Sequence, residues 1–169
     1  MYEKVILITR KTRLQELIEK FNTKAQARFY IEHSGANFAE YEDEDQTYQR
    51  SLDIALKQID SFCPTLKTQF VDRRFISNFI FNPKDIVVPI GQDGLDANVA
   101  KYAGAQPVIG ANPAPERIDG VPVPVHAKKL AKAIDAVSTE KAKLTKVTLA
   151  EIVLNDGQRL LAFNDLFIG

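Results

Sequence analysis

The chain has 169 residues, 45% hydrophobic and 26% charged, with 22 Lys plus Arg set against 22 Asp plus Glu and two His. One domain's worth of globular protein with zero formal net charge excludes a broadly basic surface that grips nucleic acid or anionic lipid, leaving room only for a small basic pocket. A lone cysteine, Cys63, excludes an intrachain disulfide or a cysteine-built metal site and points to a reducing compartment.

Val5-Ile6-Leu7-Ile8 is a short, continuous, mostly β-branched run, which predicts a strand buried on both faces of a parallel sheet. Behind Met1-Tyr2-Glu3-Lys4 it is too brief for a secretory signal, and no apolar stretch reaches the length of a bilayer span. A soluble, cytoplasmic protein is expected, with no membrane or nucleic-acid partner. Leu14, Leu17, Ile18 and Phe21 repeat at helical spacing, and the helix is predicted to run on through Lys24 to Arg28 towards Glu32, ending before Gly35. A second helix is predicted from about Asp45 to Phe62, stopped by Pro64. Leu66 to Val71 and Asp85 to Ile90 read as strands, with Pro89 near the exit of the second.

Gly91 to Gly94 form a turn, Leu95, Val99, Tyr102 and Ala103 mark a helix closed by Gly104, and Pro107-Val108-Ile109 is a further short strand. Ala127 to Val137 again shows helical spacing. Val147 to Leu154 and Arg159 to Phe163 flank Asn155-Asp156-Gly157, a strong hairpin turn. Strands alternating with helices predict an α/β fold: a doubly wound, largely parallel Rossmann-like or flavodoxin-like sheet with a C-terminal antiparallel hairpin.

Glycine and proline are unevenly placed. Before position 83 there are only Gly35 and Pro64, whereas five glycines and six prolines fall between Pro89 and Pro124. The unusual backbone is thereby concentrated in two loops, Gly91-Gln92-Asp93-Gly94 and Asn112 to Gly120, both after the carboxyl ends of predicted strands, where open α/β sheets bind ligands. In the first loop the glycines let a ligand approach the backbone, and the following helix offers free N–H groups to a phosphate. Asp93 cannot bind phosphate directly; it is suited to act as a base towards a hydroxyl or to hold a divalent cation, and equally to cap the helix. Arg10 and Lys11, just past the first strand, are either phosphate ligands or solvated loop residues.

The segment IVVPIGQDGLDANVAKYAGAQPVIGANPAPERIDGVPVP resembles the core of the NAD kinase family, in which a strand leads into GGDGT, then a helix, a short strand ending in G-x-N, and a loop of the form N-x-D/A-P-E-R-x-x-G. Leu161-Ala162-Phe163-Asn164-Asp165 resembles that family's second signature, an Asn followed by Glu or Asp after a hairpin. The likeness covers Asp85 to Gly169, and only the pattern of elements agrees before it. It implies that residues 1–163 are the family's α/β nucleotide-binding kinase domain and that 164–169 begin the connection to a β-rich domain outside this chain, so that these 169 residues alone are expected to be nearly inactive.

The resemblance implies transfer of the γ-phosphate of ATP, or of a phosphate from polyphosphate, to the adenosine ribose 2′-hydroxyl of NAD, giving NADP. Asp93 would take the proton from that hydroxyl. Gly94, Val121, Asn164 and Asp165 would contact NAD; Gly91, Gln92 and Asn112 would line the phosphates with Arg10 and Lys11; and Mg²⁺ or another divalent cation would accompany ATP. The resemblance also implies a homo-oligomer for the full-length protein. Gln92 replaces the second Gly of GGDGT, Leu95 its Thr, and Val121 stands where many members carry an aromatic beside the adenine, so the chain reads as a divergent branch.

Two other readings stand beside this one. A catalytically silent nucleotide-binding module accounts for Gln92 and Leu95, whereas a receiver-like signalling domain requires paired acids after the first strand, where this sequence has Thr9-Arg10-Lys11. Glu40, Glu42, Asp43, Glu44 and Asp45 read as a solvated acidic segment ahead of a helix in preference to a metal site. His33 and His126 have no partner at metal-site spacing, Cys63 reads as a small, partly buried apolar group, and Glu116, Arg117 and Asp119 could orient a nucleotide or satisfy their own loop.

Overall fold

The computed structural model describes residues 1–91, 93–113 and 125–163, the side chain of Asp93 excepted. Strand β1 (Lys4–Thr9) is its centre, and Val5, Ile6, Leu7 and Ile8 are fully buried, as a strand covered on both faces requires. β2 (Lys67–Asp72) and β3 (Asp85–Pro89) flank it, both parallel, with Ile8 opposite Val71 on one side and Pro89 on the other. Past β3, single bridges Val87 to Val108 and Ile90 to Ala111 carry the parallel set onto β4 (Ala111–Asn112), which pairs in parallel with β5 (Val125–His126). The side-by-side order is therefore β2-β1-β3-β4-β5. The strand predicted at Pro107 to Ile109 is reduced to a bridge, because Pro107 has no N–H to donate and Gly110 follows with no side chain to pack.

Alternate residues of the strands feed two cores. Val5, Leu7, Ile86 and Val88 pack beneath α3 (Phe38–Phe62) and α5 (Leu130–Ser138), while Ile6, Ile8, Val71 and Val87 pack beneath α4 (Asp93–Ala103) and the 3₁₀ turn Arg73–Asn78. Helical structure thus covers both faces of a parallel sheet, and the chain is mixed α/β.

The long first helix expected from the sequence is two helices. Thr12 caps α1 (Arg13–Phe21) in a reciprocal capping box with Gln15, Asn22 turns left-handed at φ 64°, and Thr23 caps α2 (Lys24–His33). A short polar Asn-Thr pair supplies one helix's stop and the next one's start, and the apolar spacing on either side hides it. α3 also begins earlier than predicted, at an Asn37 cap, so Glu40 to Asp45 lie inside its first turns and not ahead of them. Leu14, Ala27, Ile31 and Phe38 form a small third core where these helices meet.

β6 (Ala150–Val153) and β7 (Arg159–Ala162) make the expected antiparallel hairpin. Its loop closes through Leu154 and Gln158, and Gly157 takes φ +86°, the left-handed residue that a three-residue hairpin loop needs. Among the described residues no helix is long and apolar enough to cross a membrane.

Candidate functional site

The carboxyl edge of the sheet gathers the exits of β1, β3 and β4. Ile90 N–H donates to Ile8 C=O at 2.9 Å, and Gly91 N–H to Ala111 C=O at 3.2 Å, so the Gly91 turn is anchored between its two neighbouring strands. Arg10 and Lys11 leave β1 on one side of it; Asn112, buried, ends β4 on the other. Asp93 is the first residue of α4 and Gly94 the second, so the helix's free N–H groups face the same edge. Arg10, Lys11, Gly91, Gly94 and Asn112 therefore share one edge of the sheet. Gln92, Val121, Asn164, Asp165, Glu116, Arg117 and Asp119 lie outside the described residues, as does the Asp93 side chain.

The two glycines of the turn are there for different reasons. A Cβ on Gly91 would meet Leu95 Cδ2 at 2.7 Å, so close packing of the turn onto its own helix requires that glycine. On Gly94 a Cβ meets nothing within 4 Å among the described residues, and its φ is not left-handed. Gly94 is exposed in a helix's first turn, where alanine would be more stable, and no described neighbour requires a glycine there. Leu95, where the resembled motif has Thr, is 5% exposed and packs with Ile6, Ile8 and Val99; its side chain serves the core and not the edge.

Of the two basic candidates, Arg10 is held inside the fold and Lys11 in an exposed ion pair. Arg10 is 14% exposed at its side chain, pairs with Glu44 at 3.2 Å, donates to Lys11 C=O and lies 5.1 Å from the Tyr48 ring centre. Lys11 pairs with Glu19 at 2.5 Å. Glu44 also receives Arg13; burial alone would raise its carboxyl, but hydrogen bonds and charge from Arg13 and Arg10 hold it below the usual range.

Sequence reasoning missed four further features. Tyr48 was legible only as part of an apolar helix face, yet its hydroxyl accepts from Arg10 N–H at 2.9 Å and donates to Ile90 C=O at 3.1 Å. Ser51 donates to Pro113 C=O at 2.5 Å, and Thr12 to Asp45 at 2.6 Å. Asp96, in the first turns of α4, lies against Gly110, where a Cβ would come within 2.5 Å of its carboxylate. The spacing Asp93 to Asp96 was the available signal for the last, since residues three apart share a helix face.

No family model matches the chain, and no curated protein matches it. The likeness to NAD kinases rests on the residues quoted above.

Elsewhere, a cavity of about 570 Å³ lies at the opposite, amino edge, lined among others by Tyr2, Phe62, Cys63, Leu66 and Ser138, and it touches none of the candidate residues. Burial, and secondarily Asp135, pushes the Cys63 thiol up, so it stays a protonated, weakly reactive group. His33 Nδ1 lies 2.8 Å from Phe29 C=O. Among the described residues no three His, Cys, Asp or Glu side chains converge as a metal site.

Proposed function

We propose that the chain is the nucleotide-binding, catalytic domain of an NAD kinase-like phosphotransferase, with a Rossmann-like or flavodoxin-like sheet, that moves a phosphoryl group from ATP or polyphosphate to the adenosine ribose 2′-hydroxyl of NAD. The observation that carries this is Gly94: a glycine that no described neighbour requires, exposed, in the first turn of the helix that begins at the carboxyl edge. Such a position suits close approach of a ligand to helix N–H groups. Strand order β2-β1-β3-β4-β5 supports the same place, because connections leave β1 and β3 towards opposite faces and the crevice between them is where doubly wound sheets bind.

In this reading the Asp93 carboxylate takes the 2′-hydroxyl proton as that oxygen bonds to the terminal phosphorus and the bond to the departing phosphate oxygen breaks. Gly91, Gln92 and Asn112 line the phosphates, and Val121, Asn164 and Asp165 contact the dinucleotide. The acids near the β1 exit are already engaged by Thr12, Arg10, Arg13 and Arg74, so the described residues do not fit a resident metal cage. The divalent cation belongs to the substrate, as Mg·ATP.

Calorimetry of the chain with NAD, and NADP formation by the complete protein with NAD and Mg·ATP, test this. Asp93→Asn is expected to keep NAD affinity and to lower NADP formation at least about 100-fold. An unchanged rate removes Asp93 from the role. The silent-module reading is favoured by one set of contacts: Arg10 and Lys11 are both neutralised by internal carboxylates. NAD binding with no turnover by the complete protein would select it.

A further inference from the structure

In a parallel ladder, a residue that accepts at one rung is followed by one that donates at the next. Ile90 N–H bonds to Ile8 C=O, so the next rung between β1 and β3 is Arg10 N–H to Ile90 C=O. That rung is not made directly. The Tyr48 hydroxyl stands in it, accepting from Arg10 N–H at 2.9 Å and donating to Ile90 C=O at 3.1 Å. Tyr48 comes from α3, is 2% exposed, and its ring is fixed by core neighbours beneath and by the Arg10 guanidinium above.

The same side of α3 holds the other exits. Asp45 accepts from Thr12 at the start of α1, Glu44 pairs with Arg10 and Arg13, and Ser51, one turn past Tyr48, holds Pro113 at the end of β4. One rigid helix therefore ties the exits of β1, β3 and β4 to a common frame.

We infer that Tyr48 is a positioning residue that wedges β1 and β3 apart at their carboxyl ends, holding open the crevice in which the Gly91 to Gly94 turn meets its ligand. A direct rung would draw Arg10 onto Ile90 and close that crevice by the width of a hydroxyl group. Tyr48 can do this because an un-ionised phenol both donates and accepts, and burial moves its pKa further up from the ordinary tyrosine value, against the opposing pull of the Arg10 N–H. The inference rests on the nucleotide reading of the site for its consequence, but not for its geometry.

Tyr48→Phe keeps the ring and removes the wedge. NAD affinity, measured calorimetrically on the complete protein, is expected to fall about tenfold, the effect of losing one buried hydrogen-bonding group. Amide exchange at Arg10, read by NMR, is expected to change at least about tenfold relative to Leu7 within β1. Ile134→Val, in the α5 core, matches a modest loss of melting temperature and is expected to leave both readouts unmoved. Wild-type affinity and wild-type Arg10 exchange in Tyr48→Phe overturn the wedge. Failure of the complete wild-type protein to bind NAD overturns the nucleotide reading instead, and Arg10 exchange still decides the wedge. If Tyr48→Phe does not fold, the wild-type protein decides: an Arg10 amide bonded to a buried hydroxyl is expected to exchange at least about 100-fold more slowly than the amide of an exposed turn residue such as Thr65, and equal rates overturn it.

Discussion

The central sheet and the C-terminal hairpin draw on the same branched apolar residues and put them to opposite use. Val5 to Ile8 of β1 are wholly buried, between α3 and α5 on one side and α4 on the other, whereas Val153 and Leu160 of the hairpin are 59% and 52% exposed. Leu161, on the opposite face of β7 from Leu160, is exposed as well. An apolar strand is therefore not by itself a buried strand; burial depends on whether the crossover connections lay helices over it, which they do for β1 and β3 and do not for β6 and β7. A two-stranded ribbon has little stability of its own, so the parallel sheet should carry nearly all of the folding free energy.

Replacing one leucine in each region is the strongest way to break that contrast. Leu7→Ala opens a cavity in the middle of the sheet and is expected to cost about 2–5 kcal/mol in urea unfolding. Leu160→Ala, at the same chemistry, is expected within about 0.5 kcal/mol of wild type. Similar losses for the two would mean that the hairpin face is covered in solution.

Ion pairs sharpen the contrast at a smaller scale. Glu44 is held by Arg10 and Arg13 in a partly buried setting, while Glu151 and Arg159 pair at 3.3 Å across the exposed hairpin. Glu44→Gln is expected to cost about 1 kcal/mol near neutral pH, discounted for residual exposure, and Glu151→Gln close to nothing. The Glu44 carboxyl lies below its ordinary 4.5 in the folded protein, so its stabilisation is present above that value and is lost as pH falls through the lower, folded one. The gap between wild type and Glu44→Gln in urea midpoints should therefore close on acidification below about 4.5; a gap that persists at lower pH would show that the charge is not what Glu44 contributes. Glu3, Glu19, Glu42 and Asp72 are also lowered, by lysine or arginine partners, and are common to both proteins.

What the sequence disclosed follows the same division. β1, β3, α5 and the hairpin were legible because each is a local pattern: a β-branched run, a helical repeat, an Asn-Asp-Gly turn. The α1–α2 break was not, because Asn22-Thr23 is a two-residue signal inside a continuous apolar repeat. The early start of α3 was obscured by its acidic first turns, which read as solvated chain. At the candidate site the glycine turn was legible from composition, but its frame was not: Tyr48 and Arg10 are 38 residues apart, and Ser51 and Pro113 are 62 apart. Tyr48 falls on the apolar face of its helix by spacing, so nothing local announces that its hydroxyl replaces a ladder rung. Arg10 reads as solvated or phosphate-bound in the sequence because Glu44, which neutralises it, lies 34 residues away with two helices between.

The smallest effect bears most directly on function, and it again sets one region against the other. Gly157 in the hairpin adopts φ +86°, a conformation that a side chain resists, so Gly157→Ala is expected to loosen β6 from β7. Gly94 has neither a left-handed φ nor a neighbour within reach of a Cβ among the described residues. By folding alone Gly94→Ala should therefore raise stability, by about 0.5 kcal/mol, since alanine restricts the unfolded chain and favours the helix. If the open space over Gly94 is where a nucleotide meets the start of α4, the same methyl group stands in the way, and NAD affinity should fall as the melting temperature rises. Stability and binding moving in opposite directions is the signature of a glycine kept for a ligand. A Gly94→Ala protein that is more stable and binds NAD as well as wild type would move the ligand away from this turn, and a less stable one would show that the fold needed the glycine after all.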